Sequence, residues 1–129
     1  MNRWLPTVAW LGVVVWLTLS PRPIPADLEP PGRLDLLGHL VIFAILAFLA
    51  GRAARATQAG PGTRGQGWRV AAVLIAFAAA DELLQPPLAG RDAAWSDLLA
   101  NLVGIATGLR AAGRGARPAT SRARPAAPP

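Results

Sequence analysis

The sequence predicts an all-α membrane protein, a bundle of four transmembrane helices. Three observations predict it. Of the 129 residues, 53% are hydrophobic and only 16% charged, whereas soluble domains carry roughly 25% charge. The apolar residues gather into four blocks separated by polar or proline-rich breaks. The arginines concentrate in alternate breaks, as the positive-inside rule requires of an even number of spans. At this length one domain is expected: residues 1–111 hold the spans and residues 112–129 form a basic, disordered cytoplasmic tail.

The first block runs from about Trp4 to Leu19. Arg3 before it and its apolar core resemble a signal peptide, but Pro21 follows Ser20 and Pro25 precedes Ala26, which makes poor cleavage sites. It is therefore read as a retained span. The break from Ser20 to Gly32 contains Pro21, Pro23, Pro25, Pro30 and Pro31 and cannot be helical throughout. The second block runs from about Leu34 to Gly51. A Gly-, Arg-, Thr- and Gln-rich stretch from Gly51 to Gly67 then reads as a flexible loop. The third block, about Trp68 to Leu84, is expected to end at Pro86-Pro87. The fourth runs from about Trp95 to Ala111. Spans of this size reach roughly 24–27 Å at 1.5 Å per residue, short of the ~30 Å hydrocarbon core, so flanking residues or local thinning cover the deficit.

Orientation follows from the basic residues, all 13 of which are arginines. Arg3, the loop carrying Arg52, Arg55, Arg64 and Arg69, and the tail carrying Arg110, Arg114, Arg117, Arg122 and Arg124 hold no balancing acid. In the other two breaks, Arg22 and Arg33 meet Asp27 and Glu29, and Arg91 adjoins Asp92. Both termini and the middle loop are therefore expected in the cytoplasm of a bacterial plasma (inner) membrane. Trp4 and Trp68 then fall at the inner boundary, Trp16 and Trp95 at the outer one. This topology accounts for nearly all of the +6 charge, so no nucleic-acid partner is expected. Membrane lipids are the expected partners, and oligomeric state is left open.

Several chemistries are excluded by composition. With no Cys and no Lys, there are no disulfides, zinc–thiolate or iron–sulfur sites, cysteine nucleophiles, Schiff bases or P-loop lysine. The single His39 has no nucleophile partner except Ser96, two spans away. No HExxH-like spacing exists. No metal and no cofactor are expected.

The few polar residues inside the blocks are ordered by helical spacing. Asp35 and His39 lie four apart, as do Asp81 and Gln85, and Asp97 and Asn101; Glu82 and Gln85 lie three apart. With the topology above, three helices bring polar pairs to one level in the outer third of the membrane, and Arg91 sits in the short loop joining two of them. Each ionisable group costs roughly 2.5–3.5 kcal/mol at the bilayer centre, so convergence into one cluster is cheaper than scattering. Part of the set could serve only as interhelical glue, worth on average ~0.6 kcal/mol per hydrogen bond. Packing alone does not call for an acid, an imidazole and a guanidinium together, which favours a functional site. Ala100, Gly104 and Gly108 add a small-residue face on the fourth span for close helix packing.

The run Asp35–His39–Phe43, Asp81-Glu82-x-x-Gln85, Gly90-Arg91 and Asp97-x-x-x-Asn101-x-x-Gly104-x-x-x-Gly108 resembles the VanZ-like membrane family. The resemblance covers spans two to four, about Asp35 to Gly108. It departs from the family at Leu36, usually Lys, and at Leu40, often aromatic. It implies a small helical membrane protein with an envelope or antibiotic-response role. Lipid-linked envelope precursors or glycopeptide-type compounds enter as partners on that ground.

Two functions are expected from the residues. In the first, the cluster binds a lipid or glycan-lipid headgroup, with Arg91 on a phosphate and Glu82, Asp97 and His39 on hydroxyls or an amine. In the second, the protein is an integral-membrane enzyme on a lipid-linked substrate, with His39 and Glu82 or Asp97 as acid and base. A proton-coupled transporter is disfavoured because no polar residue lies at mid-membrane.

Overall fold

A computed structural model describes residues 2–20, 32–57, 67–89 and 94–114. These form four α-helices with no strand among them: α1 (Leu5–Leu19), α2 (Gly32–Thr57), α3 (Gly67–Ala89) and α4 (Trp95–Arg114). Among the described residues, only the Asp35–Thr57 stretch of α2, 23 residues, is long and apolar enough to cross a membrane by length and composition alone. α1 is apolar but has 15 residues. The acids and glutamine of α3, and the arginines, glycines and Asp97 of α4, dilute the apolar character of those helices.

Local signals set several ends. The Trp4 amide donates to Asn2 Oδ1 at 3.1 Å, and Pro6 enters the first turn of α1, where its missing N–H costs nothing. Ser20 is extended (φ −76°, ψ 133°), the conformation that Pro21 imposes on the residue before it. Asp35 and Asp97 lie in the first turns of α2 and α4, where a carboxylate favours the positive end of the helix.

Three boundaries differ from the sequence reading. α2 does not stop at Gly51 but runs six residues further, to Thr57. Gly51 packs against α4, where an added Cβ would lie 3.0 Å from the Ala112 Cβ, and Ala53 and Ala54 are buried. Tertiary contact therefore carries the helix through a residue of weak propensity. α3 passes through Pro86 and Pro87 to Ala89. Two successive prolines deprive the preceding turn of two amide donors, and both rings are exposed, so they displace no packed neighbour. α4 extends to Arg114, so Ala112–Arg114 belong to a helix and not to the tail. Residues 115–129, most of the expected 20–32 break and the 58–66 loop lie outside the described residues.

The most extensive packing in the fold joins α2 to α4. Its centre is a seam of small residues. A Cβ built on Gly104 would lie 2.3 Å from the Leu40 carbonyl oxygen, and one on Gly108 would lie 2.1 Å from that of Ala44. The two backbones touch, which no residue larger than glycine permits at these points. Ala100 and Ala112 continue the same face and are buried.

Successive helices run in opposite directions, so the bundle has two chemically distinct ends. At one lie Arg3, Arg52, Arg55, Arg69, Arg110 and Arg114, all exposed. There the Arg3 guanidinium donates to the Ala56 carbonyl, in the last turn of α2, a position favoured by the helix dipole. At the other end lie the acids and His39. Between them sits an apolar core of Val14, Phe43, Leu46, Ala47, Ala50, Leu74, Ala78 and Ile105, with Phe43 and Phe77 in contact at 5.8 Å between ring centroids. Large apolar side chains also cover the outside: Leu5, Val8, Leu37, Val73, Leu83, Leu99 and Val103 are all exposed.

Substituting Gly108→Ala is expected to push α2 and α4 apart, at a cost of about 1–3 kcal/mol. Gly12→Ala meets nothing within 4 Å and should be neutral or slightly stabilising. Unfolding of the two variants in the same detergent, compared with the parent chain, checks both outcomes.

Candidate functional site

The acidic end of the bundle gathers polar side chains from all four helices. Each stands about one helical turn above a member of the apolar core. Thr18 lies above Val14 on α1, His39 above Phe43 on α2, Asp81 above Ala78 on α3, and Asn101 above Ile105 on α4. Polar above and apolar below is thus a shared level, with a closed floor.

Of the eight residues singled out from the sequence, seven lie in the described part. His39, Asp81, Glu82, Gln85, Asp97 and Asn101 are all buried, with Gln85 and Asn101 fully so at 0%. Asp35 is half-buried, one turn nearer the end of α2. Arg91 falls outside the described residues.

Two sub-clusters emerge. On the α2–α4 side, His39 Nδ1 meets Asn101 Oδ1 at 3.2 Å, and His39 Nε2 faces Asp97 Oδ2 at 3.8 Å. Asp35 joins them: one donor atom each from Asp35, His39 and Asp97 lies within 4.8 Å of the others. The glycine seam makes this possible, because it brings the first turns of α2 and α4 close enough for short side chains to meet. On the α1–α3 side, the Thr18 hydroxyl reaches Asp81 Oδ1 at 2.6 Å and the Val14 carbonyl at 2.9 Å, so one proton is shared between two acceptors. Glu82 links the halves. Its Oε1 accepts the Ala94 amide at 2.6 Å, fixing the residue from which α4 starts.

Several buried atoms have no hydrogen-bond partner among the described residues: Glu82 Oε2, both polar atoms of the Gln85 amide, and Asn101 Nδ2. A buried polar atom left unmade costs roughly 1–3 kcal/mol. One end of the bundle therefore holds donors and acceptors in excess of what helix packing uses. Ser96, the one candidate nucleophile, instead donates to Asp97 Oδ1 at 3.3 Å.

Thr18 is the residue the sequence reading passed over. Its signal was faint: a single hydroxyl near the C-terminal end of α1, at the level where the other three helices place polar groups. Compared with protein-family models, curated proteins and solved structures, the chain finds no match.

Thr18→Val keeps the shape and removes the donor shared by Asp81 and Val14. It is expected to cost about 1–3 kcal/mol in unfolding free energy. Thr107→Val, which alters an exposed hydroxyl bonded to Val103 in its own helix, should stay within about 0.5 kcal/mol. A difference between the two smaller than the error of the unfolding curves would show that Thr18 does not hold α1 to α3.

Proposed function

We propose that the chain is a four-span protein of the bacterial plasma membrane, VanZ-like, with both termini cytoplasmic and its acidic end in the outer leaflet. There the polar cluster binds the headgroup of an anionic lipid or lipid-linked envelope precursor. The observation that carries this reading is the excess of buried, unspent donors and acceptors at one end of a bundle that is apolar outside. Exposed valines and leucines on all four helices suit a lipid surround better than water. The arginines at the opposite end suit the cytoplasmic face. α1 falls short of the hydrocarbon thickness, and the exposed Trp4 and Trp16 near its ends suit interfacial anchoring there.

The closed apolar floor under Thr18, His39, Asp81 and Asn101 argues for binding at one face rather than passage across. Arg91, in the loop between α3 and α4, supplies the forked donor that a phosphate needs. Glu82, His39 and Asn101 serve hydroxyls or an amine of the same headgroup.

Topology is testable directly, since a chain without cysteine accepts single reporters. In spheroplasts, a membrane-impermeant maleimide should label Ala93→Cys at once, and Thr63→Cys only after lysis. Labelling of both without lysis would overturn the four-span orientation. For the ligand, native mass spectrometry of the detergent-purified protein with phosphatidylglycerol should give retention that falls about tenfold in Arg91→Ala, the loss of roughly 1.4 kcal/mol. Arg110→Ala, at the far end, should retain lipid like the parent. Equal retention by Arg91→Ala and the parent would sink the headgroup reading.

A further inference from the structure

The α2–α4 half of the cluster has the features of a metal site. We propose that Asp35, His39 and Asp97 bind one divalent transition-metal ion, zinc or manganese by the chemistry of the donors. The proposal concerns the same cluster as the headgroup reading but does not need a lipid.

Geometry comes first. Asp35 and His39 share a face of α2 one turn apart, and Asp97 meets them from α4, with all three donor atoms within 4.8 Å of one another. His39 Nε2 and Asp97 Oδ2 lie 3.8 Å apart. That is too long for a hydrogen bond, but an ion about 2.0–2.2 Å from each would span it.

The second argument is the tautomer. His39 Nδ1 lies 3.2 Å from the carboxamide oxygen of Asn101, which can only accept. In the tautomer that donates from Nδ1 to Asn101, the Nε2 lone pair faces the Asp97 carboxylate, and a cation seated between them would be ligated by both. A metal-bound histidine is typically held in this way, by an acceptor on its other nitrogen.

An independent observation comes from α3. Glu82 is buried, its Oε1 is taken by the Ala94 amide, and its buried Oε2 has no hydrogen-bond partner among the described residues. Glu82 stands outside the three-donor set, but it leaves a buried acceptor oxygen unused at the same end of the bundle. One imidazole nitrogen among carboxylate oxygens suits zinc, manganese or ferrous iron; with no thiolate in the chain it does not suit cuprous copper. The sequence places Asp35, His39 and Asp97 in one converging cluster but offers no metal-binding spacing motif, because the ligands come from two helices far apart in the chain.

The test uses the full chain, purified without a histidine tag, stripped with a chelator and titrated with Zn²⁺ in detergent with no added lipid. One ion per chain is expected, with Mg²⁺ at the same concentration failing to compete. His39→Ala and Asp97→Asn should each weaken binding more than tenfold, and Asn101→Ala about 10–100-fold, as for other outer partners of ligating histidines. Gly38→Ala, which meets nothing within 4 Å, should bind like the parent. Should the ligand variants fail to fold, Co²⁺ added to the parent chain must still give the visible absorption of a bound nitrogen- and oxygen-ligated ion. No Zn²⁺ uptake by the parent, or uptake undiminished in His39→Ala, overturns the proposal. Lipid retention without zinc uptake removes the ion site alone; zinc uptake without lipid retention removes the headgroup reading alone.

Discussion

Backbone contact between α2 and α4 at Gly104 and Gly108 is the constraint on which the rest of the molecule depends. The space for a Cβ at these positions is already filled by the carbonyl oxygens of Leu40 and Ala44. Helices held this closely bring short side chains one or two turns away into direct contact. His39 reaches Asn101 and Asp97 for that reason. With larger residues on the seam, the same side chains would stand apart and each would be buried alone, a costlier state for an imidazole and a carboxylate. Close packing and polar chemistry are thus one design: the seam supplies the proximity that makes the cluster affordable.

The remaining helices complete the enclosure. α3 delivers Asp81, Glu82 and Gln85 to the same level, and α1 contributes Thr18 and the Val14 floor. Glu82 does more than add charge, since by accepting the Ala94 amide it ties the end of α3 to the start of α4. The apolar layer through Phe43, Ala78 and Ile105 closes the cluster from the rest of the bundle. Mutual support among buried polar groups of this kind raises the cost of changing any one of them.

Much of this was legible in the sequence, for physical reasons that can be named. Long apolar blocks have helix as their natural solution, and i, i+4 spacing put Asp35 with His39 and Asp97 with Asn101 on common faces. The small-residue spacing of Ala100, Gly104 and Gly108 marked a face able to approach a neighbour closely. Helix ends were harder. Gly51 and Pro86-Pro87 carry strong local breaking signals, yet α2 continues because packing on α4 overrides the preference at Gly51, and α3 carries the exposed proline pair in its last turn. The Thr18–Asp81 contact was invisible, since a threonine in an apolar run looks the same whether its hydroxyl bonds its own helix or another. Likewise, no spacing rule links Asp35 and His39 to an aspartate some sixty residues away.

The pairing of α2 with α4 also fixes an order of assembly. α3 separates them in the chain, so on the ribosome α2 emerges well before the helix it packs on most. Until α4 follows, His39 lacks Asn101 and Asp97, and the groove lined by Leu40, Ala44 and Phe48 lacks its glycines. Arg3, by contrast, can grip the Ala56 carbonyl as soon as α2 is made. The α1–α2 pair is thus joined at the arginine end by Arg3 and Ala56, and α3 is joined to α4 at the other end by Glu82 and Ala94. The polar cluster draws side chains from all four helices, so it cannot be complete before the first turns of α4 have joined the other three.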